Sequence, residues 1–148
     1  MTYDRADWHY GGDFPSELPI ENGGTHIGMF ITWAIINKLE GQLLIVETPK
    51  ELEAVRARNM TGREFLFEVW DEKFWEGHLN EEGNAFAKFY YETDKYIQDY
   101  SDVLLDSLPT LYHVADTWGN YEKLAKVVDK RFISWKKGLT KAWWQIWK

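Results

Sequence analysis

Two histidines and an aspartate near the N-terminus, His9, Asp13 and His26, are the side chains of this sequence best suited to chemistry, with Glu21 close by. A loop histidine and carboxylate facing a histidine at a helix start can bind a divalent metal ion or perform acid–base work on a substrate. The spacing is not diagnostic. No two histidines stand four residues apart, and neither an HExxH-type nor an EF-hand-type pattern occurs. The plainer role is structural: Asp13 capping backbone donors, His9 and His26 hydrogen-bonding the loop to the helix.

Other chemistries find less support. The chain has no cysteine, which removes disulfides, thiolate nucleophiles and cysteine-based zinc sites. Ser16, Ser101, Ser107 and Ser134 lack the surroundings of a nucleophile elbow. Gly23-Gly24-Thr25 at a helix start has neither the strand context nor the spacing of a phosphate loop, and Gly11-Gly12 reads the same way. His78 and His113 are isolated. No catalytic motif is recognisable and no cofactor is expected.

Charge points elsewhere. The net charge is −7, but residues 121–148 carry +6 and the remainder −13. An acidic body disfavours nucleic acid, which requires a basic footprint, and suits a basic protein partner. The carboxylates gather in two stretches, one with Glu64, Glu68, Asp71, Glu72 and Glu76, the other with Asp99, Asp102 and Asp106. Helical spacing would put Glu64, Glu68, Asp71 and Glu72 on one face, either solvated or offered to a partner. Nearby rings, Trp70, Trp75, Tyr90, Tyr91, Tyr96 and Tyr100, can enrich such a surface or fill the core.

These residues have to be positioned by helices. Residues 1–20, with Gly-Gly and two prolines, read as a loop too aromatic to stay loose, packed onto the body. A central helix follows from Asn22 to about Glu40, buried through Ile27, Phe30, Ile31, Ala34 and Ile35. Residues 42–47 fit a short strand or a helical link. Thr48-Pro49-Lys50-Glu51 and Thr61 with Glu64 each predict a capping box, and Asn80 caps a helix carrying Phe86, Phe89, Tyr90, Tyr96 and Tyr100. Asn120 fits the cap of a last helix from Tyr121 to about Lys137, ended by Gly138 and followed by a Trp-rich tail, 138–148. The expected fold is all-α, one domain over 1–148, a compact bundle of about five to seven helices with a packed N-terminal loop and room for one short strand pair. The polar N-terminus has no signal-peptide core, and the apolar run Ile27–Ile36 is about half the length of a membrane span, so a cytoplasmic protein without a membrane span is expected.

The stretch WHYGGDFPSELPIENGGTHIGMFITW (8–33), with TGREFL (61–66), LNEEGNAFAKFYY (79–91), YIQDY (96–100) and NYEKL (120–124), resembles a family of small bacterial proteins, a domain of unknown function of the immunity type that accompanies polymorphic toxins. The likeness spans about residues 3–137. It implies a protein that neutralises a cognate toxin by occluding it, and brings no established catalytic residues. Partner binding through Glu64, Glu68, Asp71, Glu72, Glu76, Asp99, Asp102 and Asp106 is therefore the leading expectation. A small metal-dependent or acid–base hydrolase using His9, Asp13 and His26 is the second. A scaffolding module docking through the basic last helix and its Trp143, Trp144 and Trp147 tail is the third.

Overall fold

A helix that is apolar all round has to be wrapped on every side, and α1 (Thr25–Ile36) is such a helix, with residues 25–35 all buried. The structure, a computed structural model, describes the backbone of residues 1–146 and the side chains of residues 1–139. Around α1 lie β1 (Thr2–Arg5), α2 (Gln42–Glu47), α3 (Pro49–Arg56), α4 (Gly62–Glu68), β2 (Lys73–Trp75), α5 (Glu81–Tyr90), α6 (Lys95–Leu104) and α7 (Trp118–Ile146), with 3-10 turns at 6–8, 20–24, 76–78 and 111–113. The bundle with one small strand pair is the expected class.

The tightest crossing is α1 on α4. A methyl group on Gly62 would lie 1.9 Å from the Gly28 carbonyl oxygen, so the two backbones meet where neither residue has a side chain. Thr32 Oγ1 accepts the Gly62 N–H at 2.9 Å and donates to the Gly28 carbonyl at 2.8 Å. On the other side of α1 the core is aromatic: Phe30 lies within 5.1–5.8 Å of the rings of Trp33, Phe74, Tyr91 and Tyr96. Rings of this size supply most of the buried area of a small domain, which is how the heavy aromatic content is used.

Local signals succeeded where the cap could act alone. Thr61 and Glu64 form the reciprocal capping box of α4, and Asn80 accepts the Gly83 N–H at the start of α5. Thr48 does not cap α3. It is also the residue that closes α2, and its hydroxyl donates to the Leu44 carbonyl behind it at 2.9 Å. Residues 42–47 are helical, so the strand pair comes from 2–5 and 73–75 instead. The helix expected to run on from Asn80 is two: Asp94, in the left-handed region at φ 66, turns the chain so that α6 folds Tyr96 back onto Tyr91, ring centroids 5.0 Å apart. The central helix ends at Ile36, four residues early, because Lys38 takes φ 58.

Asn120 is inside α7 rather than at its cap; its N–H is accepted by the Thr117 hydroxyl at 3.1 Å. Gly138 does not stop α7, which continues to Ile146; a glycine inside a helix costs only about 1 kcal/mol. The expectation for Trp143, Trp144 and Trp147 concerns side chains outside those described. Among the described residues no helix is long and apolar enough to cross a membrane.

Candidate functional site

β1 pairs antiparallel with β2, Thr2 opposite Trp75 and Asp4 opposite Phe74, so that Tyr3 is an extra residue, a β-bulge. A regular strand turns successive side chains to opposite faces. The bulge removes that constraint, and Tyr3 and Asp4 both line the same cleft. The chain then makes a 3-10 turn at Ala6–Trp8, anchored by the Ala6 N–H to the Glu72 carbonyl at 2.9 Å, and presents His9. His26 comes from the first turn of α1. Gly23 lets these pieces close, since a methyl group there would sit 3.2 Å from the Ala6 carbonyl oxygen and 3.5 Å from His9 Cβ.

The result is a cluster of Asp4, His9 and His26 whose ligand atoms all lie within 4.8 Å of one another. His9 Nε2 is 2.7 Å from Asp4 Oδ1, and His26 Nε2 is 3.3 Å from Asp4 Oδ2. Two further donors complete the carboxylate: the Tyr91 hydroxyl at 2.6 Å and the Arg5 N–H at 2.8 Å. His9 Nδ1 meets the Tyr112 hydroxyl at 2.9 Å, and the Tyr96 hydroxyl donates to the His26 carbonyl. His26 Nδ1 is buried without a hydrogen-bond partner among the described residues. The cleft above holds about 220 Å³, and Trp8, Glu92, Asp94, Tyr96 and Ile97 complete its wall.

Protonation favours the same centre. Burial alone would push the Asp4 carboxyl up, but hydrogen bonds from His26 and His9 outweigh it and hold the group well below the usual carboxylate range. Burial pushes the His26 imidazole down against the opposing pull of Asp4, which leaves it neutral at pH 7. Burial, reinforced by the Asp4 charge, keeps the Tyr91 phenol protonated as a donor. A carboxylate and two imidazoles, with a phenol bracing the carboxylate, match the donor set of a divalent transition-metal site and its outer shell. They can equally hold and pass a proton.

Of the expected trio, His9 and His26 meet, ring centroids 4.5 Å apart, and Asp13 is elsewhere. Gly12, at φ +64, carries Asp13 out to solvent, and Asp4 takes its place. Glu21 is exposed as well. Neither Asp4 nor Tyr112 carries a site signal in the sequence, and Tyr91 stands there only among the rings near the acidic stretches.

The acidic residues divide. Glu64 and Glu68 are exposed on α4, but the helix ends at Glu68, and Asp71 and Glu72 follow in a left-handed turn at φ 50 and 62. The four therefore share no helical face. The Tyr10 hydroxyl donates to Glu72, and Glu76 holds the N-terminal ammonium at 2.9 Å. Asp99 is 5% exposed; it takes both guanidinium contacts of Arg131, at 2.8 and 3.0 Å, and the Tyr90 hydroxyl at 2.6 Å. Asp102 and Asp106 are exposed.

A family model described as a domain of unknown function (DUF7832) matches residues 2–114. The match contains Asp4, His9, His26, Tyr91 and Tyr112 and ends before α7, so NYEKL at 120–124 lies beyond it. No curated protein and no solved structure matches the chain.

Proposed function

Given that the chain belongs to the DUF7832 family, whose function is unknown, we propose its activity from the site: a small metal-dependent hydrolase in which Asp4, His9 and His26 hold one divalent transition-metal ion, zinc first among candidates. The observation that supports this most is the proximity of those three side chains, their ligand atoms within 4.8 Å of one another in the lining of a cleft. Three protein ligands leave a position for water, and a zinc-bound water ionises near pH 7. Such an ion, held by Asp4, His9 and His26, would supply an activated water for hydrolysis of an ester or amide in the cleft. Tyr91 and Tyr112 would orient Asp4 and His9 as outer-shell partners.

Elemental analysis of the purified protein, followed by hydrolysis assays before and after chelation, tests the reading. It expects about one equivalent of metal, activity lost on chelation and restored by zinc, and neither in Asp4→Asn or His26→Ala. Metal-free wild-type protein that takes up none of zinc, cobalt, manganese or iron would overturn it.

A second reading, occlusion of a basic cognate toxin in the bacterial cytoplasm, draws on the carboxylates that stay exposed, Glu64, Glu68, Asp71, Asp102 and Asp106. Co-expression with a toxin encoded beside it would be protective under this reading, and charge reversal at Glu68 and Asp71 would abolish protection. Absence of any co-encoded binding protein would remove it.

A further inference from the structure

The cleft also carries information about what enters it. Among the described residues its lining includes three carboxylates, Asp4, Glu92 and Asp94, and no lysine or arginine. Two cations adjoin lining residues along the chain: Arg5 is engaged by Asp7 at 2.8 Å, and the Lys95 ammonium lies over the Phe89 ring, 5.5 Å from its centroid. Glu92 and Asp94 are exposed and have no ion-pair partner among the described residues. Asp94 occupies the cap position of α6, yet its side chain caps nothing. It holds a left-handed φ of 66, a conformation that aspartate tolerates better than most residues but that remains uncommon. Trp8, in the same lining, is 60% exposed, and His26 lines the cleft too, its buried Nδ1 unpartnered among the described residues.

We infer that the cleft recognises a small ammonium-bearing substrate, the cation lying against Trp8 between Glu92 and Asp94 while the neutral acyl bond reaches the Asp4–His9–His26 centre. This rests on the hydrolase reading for the reaction, but not for binding of the cation. The chemistry follows from the lining. Phosphate esters and carboxylates would meet carboxylates with no cationic side chain to receive them, and an ammonium gains both the ion pairing and the face of the indole ring. The acidic body raises the local concentration of cations in the same direction. Size sets a limit too: 220 Å³ is the space of about seven waters at liquid density, enough for a trimethylammonium group and a short chain.

Choline is the probe, with its uncharged isostere 3,3-dimethylbutan-1-ol and the anion 3,3-dimethylbutyrate as controls, each titrated into zinc-loaded and chelator-treated protein and followed by tryptophan fluorescence and calorimetry. Saturable choline binding is expected, with neither control binding. Glu92→Gln, Asp94→Asn and Trp8→Ala should each weaken it by about fivefold, the effect of one partly exposed ion pair or cation–π contact. All three positions are exposed, and an unchanged circular dichroism spectrum certifies each variant. The inference is overturned if the isostere or the anion binds as well as choline, or if all three variants keep wild-type affinity. Choline binding to protein that takes up no zinc would keep the cation site and remove the hydrolase; zinc uptake without choline binding would do the reverse.

Discussion

Asp4 is the residue on which the site turns. Its carboxylate accepts from Tyr91, His9, His26 and the Arg5 backbone, and every one of those donors is oriented by a different piece of the fold. Tyr91 is the most informative to change, because its hydroxyl touches Asp4 without belonging to the ligand trio. Tyr91→Phe should keep the fold, lose about 1–3 kcal/mol by denaturant unfolding as one bond to a charged group disappears, and weaken zinc binding by about 10- to 100-fold. Calorimetry of the variant checks both figures. His9 and His26 were recognisable as chemistry from residue type alone. Asp4 was not, because its position depends on a bulge against Phe74 and on a tyrosine 87 residues away. No window of sequence contains either fact. Asp13 lies close to His9 in sequence, and one glycine at positive φ sends it outward.

Elements obeyed the sequence where their termini were self-contained. Thr61 makes its box with Glu64, and Thr61→Ala should cost about 1 kcal/mol. Thr48→Ala should cost less, since that hydroxyl serves the Leu44 carbonyl of α2 and leaves α3 uncapped; paired urea melts distinguish the two. The capping rule failed at Thr48 because one residue has to end one helix and begin the next, a conflict invisible in a four-residue pattern. His78 gives the elements around β2 a pH dependence. It is stacked on Trp70 with ring centroids 3.6 Å apart, and burial pushes its imidazole from 6.5 down to about 3. The folded state then binds fewer protons than the unfolded one between those values, so this contribution is complete above pH 6.5 and is lost as pH falls toward 3. His78→Gln should flatten that part of the stability profile, measured by unfolding at successive pH values.

At the scale of the whole molecule, the charge distribution separates carboxylates that hold the protein together from those that face outward. Asp99 belongs to the first group, tying α6 to α7 through Arg131, and Asp99→Ala should cost about 1–3 kcal/mol because Tyr90 loses its buried acceptor. Glu68→Gln, on the open face of α4, should stay within about 0.5 kcal/mol of wild type; thermal melts of the two compare directly. The helical class, the central α1 and the aromatic core were legible because periodicity reports burial. Which carboxylates face inward was not, since that depends on where α6 meets α7. The architecture brings an N-terminal strand, a helix start and a tyrosine at the end of α5 to one cleft, and metal binding there is the claim on which the functional account stands. Its most direct test is titration of chelator-treated protein with cobalt(II), followed by visible absorption. The account expects ligand-field bands that saturate at about one equivalent, are displaced by zinc, and are missing in His26→Ala. A featureless spectrum in the wild-type protein, with no thermal stabilisation by zinc, would contradict it.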